Sequence, residues 1–303
     1  MAVRQGPCRL FLVWRQAMHE EIVRTGGKIN LFLFITGRRE NGYHELYSLF
    51  TRLPGPQDTL VFRPAERESG IRVACTTPGI DLENNTLTKA YARYAAAAGF
   101  APAVDVELIK GIPHGAGLGG GSADGAEVLA WLQRQNPSPL PEQELNALAA
   151  RVGADVPFFL AQGACMAEGI GDQLTPVETG LEGWHCVLVC PQVHVDTAWA
   201  YAAWDEENPS FSLTEERKAD KNNRSIYASL YGTNDFETVV FAAYPVLAVL
   251  KSQLIQHGAD IAGMSGSGSA LFGLFRDGSA AALAASALKS AEGSPTVYGP
   301  FKL

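Results

Sequence analysis

Residues 28–37, KINLFLFITG, form a nearly unbroken apolar run of β-prone residues and predict a buried strand. DTLVFRPA (58–65) shares that character in part, while GIRVACTT (70–77) and AVDVELIKGI (103–112) alternate with period two, as half-buried strands do. Between them NNTLTKAYARYAAAAGF (84–100) predicts a helix, with Asn84 or Asn85 as N-cap and Gly99 as stop. A second helix is expected from about Ser122 to Gln135. A third is expected over PEQELNALAARVG (141–153), with Pro141 near its first turn. Beyond residue 160 the expected elements are a short buried strand in HCVLVCPQ (185–192) and a polar loop or linker over 205–225. DFETVVFAAYPVLAVLKSQLIQHG (235–258) reads as a long helix or a pair divided at Pro245. Strand, helix and strand then follow in 270–277, 278–293 and 295–303. Strands and helices that do not alternate strictly predict an α+β fold, with a seam near residue 160.

Composition narrows the function classes. The 303 residues are 47% hydrophobic and 18% charged, with a net charge of −8, so a core is expected and a nucleic-acid-binding face is not. No apolar run approaches the ~18 residues of a membrane span. The N-terminal patch LFLVW lacks the length and cleavage site of a secretory signal, so residues 1–17 read as a loose extension, with Met18 an equally good start. Cys8, Cys75, Cys165, Cys186 and Cys190 are scattered, and no second Cys or His pair accompanies Cys186 and Cys190. Reduced thiols in a cytoplasmic protein are expected rather than a zinc site.

The chemistry concentrates in GIPHGAGLGGGSADGAEVL (111–129), which places five glycines between Gly115 and Ser122 at the mouth of a helix. A Walker loop is excluded because no Lys-Ser or Lys-Thr follows. Gly115, Gly117 and Gly120 satisfy GxGxxG. The second parallel strand and acidic residue of a dinucleotide fold are missing, however, and NPSPLPEQEL stands where they belong. A protein-kinase loop lacks its HRD and DFG partners. What remains is a nest of backbone N–H groups backed by a helix N-terminus, a bed suited to a triphosphate. Ser122 offers a hydroxyl to phosphate or Mg²⁺, and Asp124 an oxygen to the metal. The plain alternative is a surface loop in which Ser122 caps its helix.

Pro113-His-Gly-Ala-Gly117-Leu-Gly119 resembles the signature of the GHMP kinase superfamily. GKINLFLFITGRRENGYHELYSLF (27–50) and GMSGSGSALFGLF (263–275) resemble two further family segments in the right order. The resemblance spans roughly 25–303. The triple glycine Gly119-Gly120-Gly121 before Ser122, NGYHEL (41–46) and GADVPFFL (153–160) resemble one branch. That branch phosphorylates a cytidine diphosphate-linked sugar alcohol of the non-mevalonate isoprenoid pathway. The resemblance implies a ribosomal protein S5 domain 2-like N-terminal domain over 25–160, a ferredoxin-like C-terminal domain over 161–303, and an extension over 1–24. It also implies ATP and Mg²⁺ as cofactors, a small-molecule partner, and neither nucleic acid nor membrane. Two departures stand out: Gly26-Gly27 where the family usually carries Pro-Ala, and Ala123 in place of a second serine.

By the same resemblance Asp155 takes the proton of the attacking hydroxyl, with the Lys28 ammonium as its counter-charge. On residues alone Asp155 reads equally as a turn Asp before Pro157, and Lys28 as a strand-edge charge. Asn30 shares a strand face with Lys28 and can bond the sugar-alcohol hydroxyls. Tyr43 and His44 are implied to stack on and hydrogen-bond the cytosine, with Tyr201 the opposite ring and Thr197 four residues before it. The plain readings are a hairpin tip and a core aromatic. Pro113, Gly115, Gly117, Leu118, Gly119, Gly120, Gly121 and Ser122 are implied to hold ATP, and Gly266, Ser267 and Gly268 to close over its phosphates. Asn85 is placed near the adenine or is only a helix cap, and Lys110 and His114 flank the loop with positive potential. The alternatives are a homoserine- or mevalonate-type kinase, which generally lacks the Gly-Tyr-His-Glu segment, and a catalytically dead binding module.

Overall fold

The computed structural model describes residues 19–75, 77–209, 228–291 and 295–303. The extension expected over 1–17, Cys8, and residues 210–225 of the polar stretch lie outside them.

Strand β1 (Glu21–Arg38) pairs antiparallel with β2 (His44–Pro64). The other edge of β2 takes β4 (Val104–Ile109) beside its C-terminal half and β5 (Ala164–Glu168) beside its N-terminal half. β3 (Ile71–Cys75) lies parallel to β4, and β6 (Gln173–Val177) antiparallel to β5. Residues 51–64, broken by Pro54 and Pro56, nonetheless continue one strand. The register on β1 jumps from Gly26↔Gln57 to Lys28↔Arg52, so Leu53–Pro56 form a bulge where no ladder N–H is required.

Helices α1 (Thr86–Ala98), α2 (Gly120–Gln135), α3 (Glu142–Val152) and α4 (Val156–Leu160) cover one face of this sheet. The period of two decides which side chains they meet. Phe50, Cys165 and Ala167 enter the helix-facing core, whereas Leu49 and Met166 point to the opposite face. That opposite face packs on a second sheet through Leu188, Phe272 and Leu274, an apolar seam that holds the two halves together. α1 has the caps its sequence predicts: the Asn85 side chain accepts from Thr88 N, and Gly99 closes the helix at φ 61°.

The second sheet contains β7 (His185–Cys190), β8 (Ile261–Met264), β9 (Leu271–Phe275) and β10 (Thr296–Lys302), ordered β10-β7-β9-β8 and antiparallel throughout. α5 (Thr197–Glu207), α6 (Glu237–Ala243) and α7 (Pro245–Gln256) fall between its first two strands, and α8 (Gly278–Leu288) between its last two. This is the expected ferredoxin-like β-α-β-β-α-β order. Pro245 does divide the long apolar stretch, and α6 and α7 meet at 114°. Among the described residues no single helix is long and apolar enough to cross a membrane.

Three expectations need correction. The first sheet takes in β5 and β6, so it runs past the seam expected near residue 160. Glu21–Arg24, assigned to the extension, are the start of β1, because Thr59–Phe62 offer them an edge to pair with. The loop expected from residue 205 begins inside α5, which ends at Glu207.

Candidate active site

A cavity of about 830 Å³ opens between the two halves. Its inner wall is made by β1, the glycine loop and the start of α4. The bulge at Gly26/Lys28 turns the chain so that the Lys28 side chain, only 4% exposed, enters this wall. The departure from the family's Pro-Ala has a local reason here. A Cβ on Gly26 would lie 2.3 Å from the Leu53 carbonyl oxygen, and one on Gly27 2.9 Å from that of Leu118. Backbone packs on backbone, and Lys28 N donates to Leu118 O at 2.8 Å.

Lys28 Nζ lies 3.5 Å from Asp155 Oδ2, donates to Asn30 Oδ1 at 2.7 Å, and stands 4.8 Å over the Phe50 ring. Asp155 precedes α4 but makes no side-chain cap to it, so its oxygens remain directed at Lys28 and the cavity. A turn aspartate would have spent them on local N–H groups. Nothing in the sequence singles out the residue that steadies α4. Arg52 on β2 donates to the carbonyls of Phe158, Phe159 and Ala161 at 3.2, 2.6 and 2.8 Å, closing the C-terminal end of that single turn.

Asn30 lines the cavity and is also bonded within the protein. Its Oδ1 accepts from Lys28 Nζ and from Gly266 N at 2.9 Å, and its Nδ2 donates to Ser48 Oγ at 2.9 Å. It therefore ties β1 to the C-terminal glycine loop. Gly117 packs against that loop so closely that a Cβ on it would sit 2.2 Å from Ser265 O, and its φ of +76° is one that L side chains avoid. Ser265 Oγ donates to Gly117 O at 2.9 Å, and Thr197 Oγ1 and Ser267 Oγ are 2.8 Å apart.

α2 begins at Gly120 with Gly119 as its N-cap, two residues earlier than the sequence suggests, and no side chain caps it. Ser122 thus sits inside the first turn and lines the cavity with Gly117 and Gly119. Gly115, Gly117 and Gly119 all take positive φ, at 69°, 76° and 70°. Alternating left-handed residues of this kind are the backbone conformation from which concave runs of amides are built. Pro113, Gly115, Leu118, Gly120, Gly121 and Gly268 belong to the same two glycine loops, and the Asn85 side chain caps α1.

Asp124 departs from its expected place beside a metal. Two residues along a helix is a turn of roughly 200°, so Ser122 and Asp124 face opposite ways. Asp124 is 1% exposed and accepts from Lys110 Nζ at 2.9 Å. Lys110 also pairs with Asp58, whose Oδ1 accepts from Gly111 N and Ile112 N at 2.7 and 2.8 Å. The positive potential expected of Lys110 is consumed in this sealed triad. Burial pushes the Asp124 carboxyl up to about 7, with Lys110 opposing the rise, and among the described residues Asp124 Oδ1 has no hydrogen-bond partner.

At the outer end of the cavity Tyr43 is 60% exposed on the hairpin tip. His44 is buried, with its ring stacked on Tyr201 at 4.4 Å and 16°. Thr197, Tyr201 and Asp205 recur every four residues and present one face of α5 to the cavity. That spacing is the signal by which Asp205, unmarked in the sequence, can be found.

The chain matches the GHMP kinases N terminal domain over residues 85–163 and the GHMP kinases C terminal domain over 212–294. The 4-diphosphocytidyl-2-C-methyl-D-erythritol kinase of Nitratidesulfovibrio vulgaris is 49% identical over 259 residues, covering 84% of this chain and 90% of the relative. That of Lawsonia intracellularis is 41% identical over 269 residues, covering 84% and 88%. A crystal structure of 4-(cytidine 5'-diphospho)-2C-methyl-D-erythritol kinase superposes with a TM-score of 0.73 at 34% identity, covering 91% of this chain and 98% of that one. Homoserine kinase from Cytophaga hutchinsonii superposes with a TM-score of 0.72 at 19% identity, covering 93% and 94%, a likeness of fold alone.

Proposed function

This chain belongs to the GHMP kinases, in the branch of the 4-diphosphocytidyl-2-C-methyl-D-erythritol kinases, and from that premise we propose how its cleft works. It is an ATP-dependent small-molecule kinase of isoprenoid biosynthesis, and the acceptor is the 2-hydroxyl of the cytidyl-linked methylerythritol. The amides of the glycine loop and the first turn of α2 receive the triphosphate, and the 266–268 segment covers it from the other half. Asp155 takes the proton of the attacking hydroxyl as that oxygen bonds to the γ-phosphorus, and ADP leaves. Lys28 supplies the counter-charge that keeps nucleophile, carboxylate and phosphoryl group together.

Magnesium bound with ATP would supply charge neutralisation at the phosphate oxygens. On this chain the Ser122 hydroxyl is the side chain at the cavity wall suited to meet it. Among the described residues no three His, Cys, Asp or Glu side chains cluster as a ready ion site, so most ligands would be phosphate and water oxygens. At the outer end Tyr43 and the His44/Tyr201 pair hold the cytosine, with stacking worth about 1–3 kcal/mol per base. A soluble nucleotide-linked substrate suits a cytoplasmic setting.

The observation that carries the reading is the Lys28–Asp155 pair, 3.5 Å apart on the cavity wall beside the glycine loop. A dead binding module would have no need to keep both. ADP release with the cytidyl substrate, homoserine and mevalonate tests the choice. Turnover with the cytidyl substrate alone is expected, and turnover with homoserine but not the cytidyl compound ends the reading.

A further inference from the structure

His44 is held on three sides. Asp205 Oδ1 lies 2.8 Å from its Nε2, Tyr201 stacks on its ring, and the Trp204 ring meets it edge-on at 6.3 Å and 90°. The other carboxylate oxygen of Asp205 is 3.1 Å from Arg38 NH1, so Asp205 is itself fixed. A carboxylate only accepts, so the proton belongs on Nε2, and a neutral ring in that tautomer offers Nδ1 as an acceptor. Nδ1 makes no hydrogen bond to the described residues, and His44 lines the cavity next to Tyr43.

We propose that Asp205 sets the base specificity of the cleft: by holding His44 as the Nε2–H tautomer it presents Nδ1 as an acceptor to the nucleobase, selecting cytosine over uracil. The proposal rests on the cytosine lying beside Tyr43, as argued above. Cytosine carries an exocyclic amine at its 4-position, a donor that Nδ1 can accept. Uracil carries a carbonyl there, and its lone pairs would face the lone pair of Nδ1. A site built around a substrate N–H rejects the analogue lacking it, because its own polar atom is left unpaired. Asp205 touches neither base nor phosphate in this account; it is a positioning residue that acts through His44. A strap that merely joined the hairpin to α5 would also use an Asp–His–Arg cluster, but its loss would weaken both bases alike.

The test compares kcat/KM for the cytidyl substrate and its uridyl counterpart, made by deaminating the base. The intact enzyme should favour cytidyl by at least about 30-fold. In Asp205→Ala the preference should fall to within about threefold, through a higher KM for the cytidyl compound. Asp205→Asn, whose carbonyl can still accept from Nε2–H, should keep at least about tenfold. Tyr43→Ala should raise KM for both compounds, and no change there means the base lies elsewhere and the underlying reading fails. A raised KM in Tyr43→Ala with an unchanged preference in Asp205→Ala leaves that reading standing and overturns the proposal. Should Asp205→Ala fail to fold, nitrogen-15 NMR of the histidines in the intact enzyme, with His44→Gln for assignment, decides the matter. Protonation on Nε2 alone is expected, and protonation on Nδ1 contradicts the proposal.

Discussion

Lys28 faces Asp155 across 3.5 Å on the wall of the cleft, whereas Lys110 lies between Asp58 and Asp124 behind the glycine loop. The ingredients are the same and the surroundings differ. Asp155 keeps 29% of its side chain exposed and makes no cap, so its oxygens stay open to a substrate. Asp58 and Asp124 are 0% and 1% exposed, and Asp58 is also bonded to the peptide N–H groups of Gly111 and Ile112. One pair is left unfinished toward the cavity. The other is closed on itself and fixes both ends of the loop, joining residues 110–112 to α2 just past its first turn. Charge type alone does not separate catalysis from scaffolding; access and spare hydrogen-bonding capacity do.

The comparison breaks most visibly if the open pair is not catalytic. Asp155→Asn is expected to lower kcat by about 1,000-fold or more, within the range of lost general-base catalysis, with little change in the melting transition. A kcat within tenfold of the original would remove Asp155 from the chemistry. For the sealed triad the large effect should fall on stability instead. Lys110→Met leaves two buried carboxylates facing each other, and urea unfolding should show a loss of about 3–5 kcal/mol. Equal losses in Lys28→Met and Lys110→Met would erase the distinction between the two lysines. Between the sites, Gly117→Ala forces a Cβ toward Ser265 O at a φ of +76°, and a cost of about 1–3 kcal/mol with a raised KM for ATP is expected.

The smallest effect is a pH dependence in the sealed triad. Burial raises the Asp124 carboxyl to about 7 from its ordinary value near 3.8, with Lys110 pulling the other way. Between those values the folded protein holds a proton that the unfolded chain has lost. The resulting stability is present at acid pH and fades as pH rises toward 7. Asp124→Asn should remove this slope, so the stability difference between the two proteins should change between pH 4 and pH 7. A constant difference would show that Asp124 is ionised throughout.

Much of this arrangement is legible in the chain, for physical reasons that vary by segment. Asn85 and Gly99 announce the ends of α1 because capping is a local interaction. The glycine run and the turn before Val156 mark the open pair through backbone needs and family pattern. The sealed triad is not legible, since Asp58, Lys110 and Asp124 meet only after β2, β4 and α2 are assembled. α5 is obscure because TAWAYAAWDEE places aromatics and alanines on every face, so its cavity side shows only as the four-residue recurrence of Thr197, Tyr201 and Asp205. The strand over 44–64 is hidden by prolines that the bulge tolerates. β5 and β6 are five residues each and joined by a glycine-rich turn, too short for a period to show.

The most direct test of the account is a double-mutant cycle on kcat with Lys28→Met, Asp155→Asn and the two combined. Groups that act on one proton and one phosphoryl group as a unit should be strongly non-additive, leaving the double variant within about tenfold of the slower single variant. Losses that multiply would mean that the two side chains work independently, and the paired mechanism would have to be abandoned.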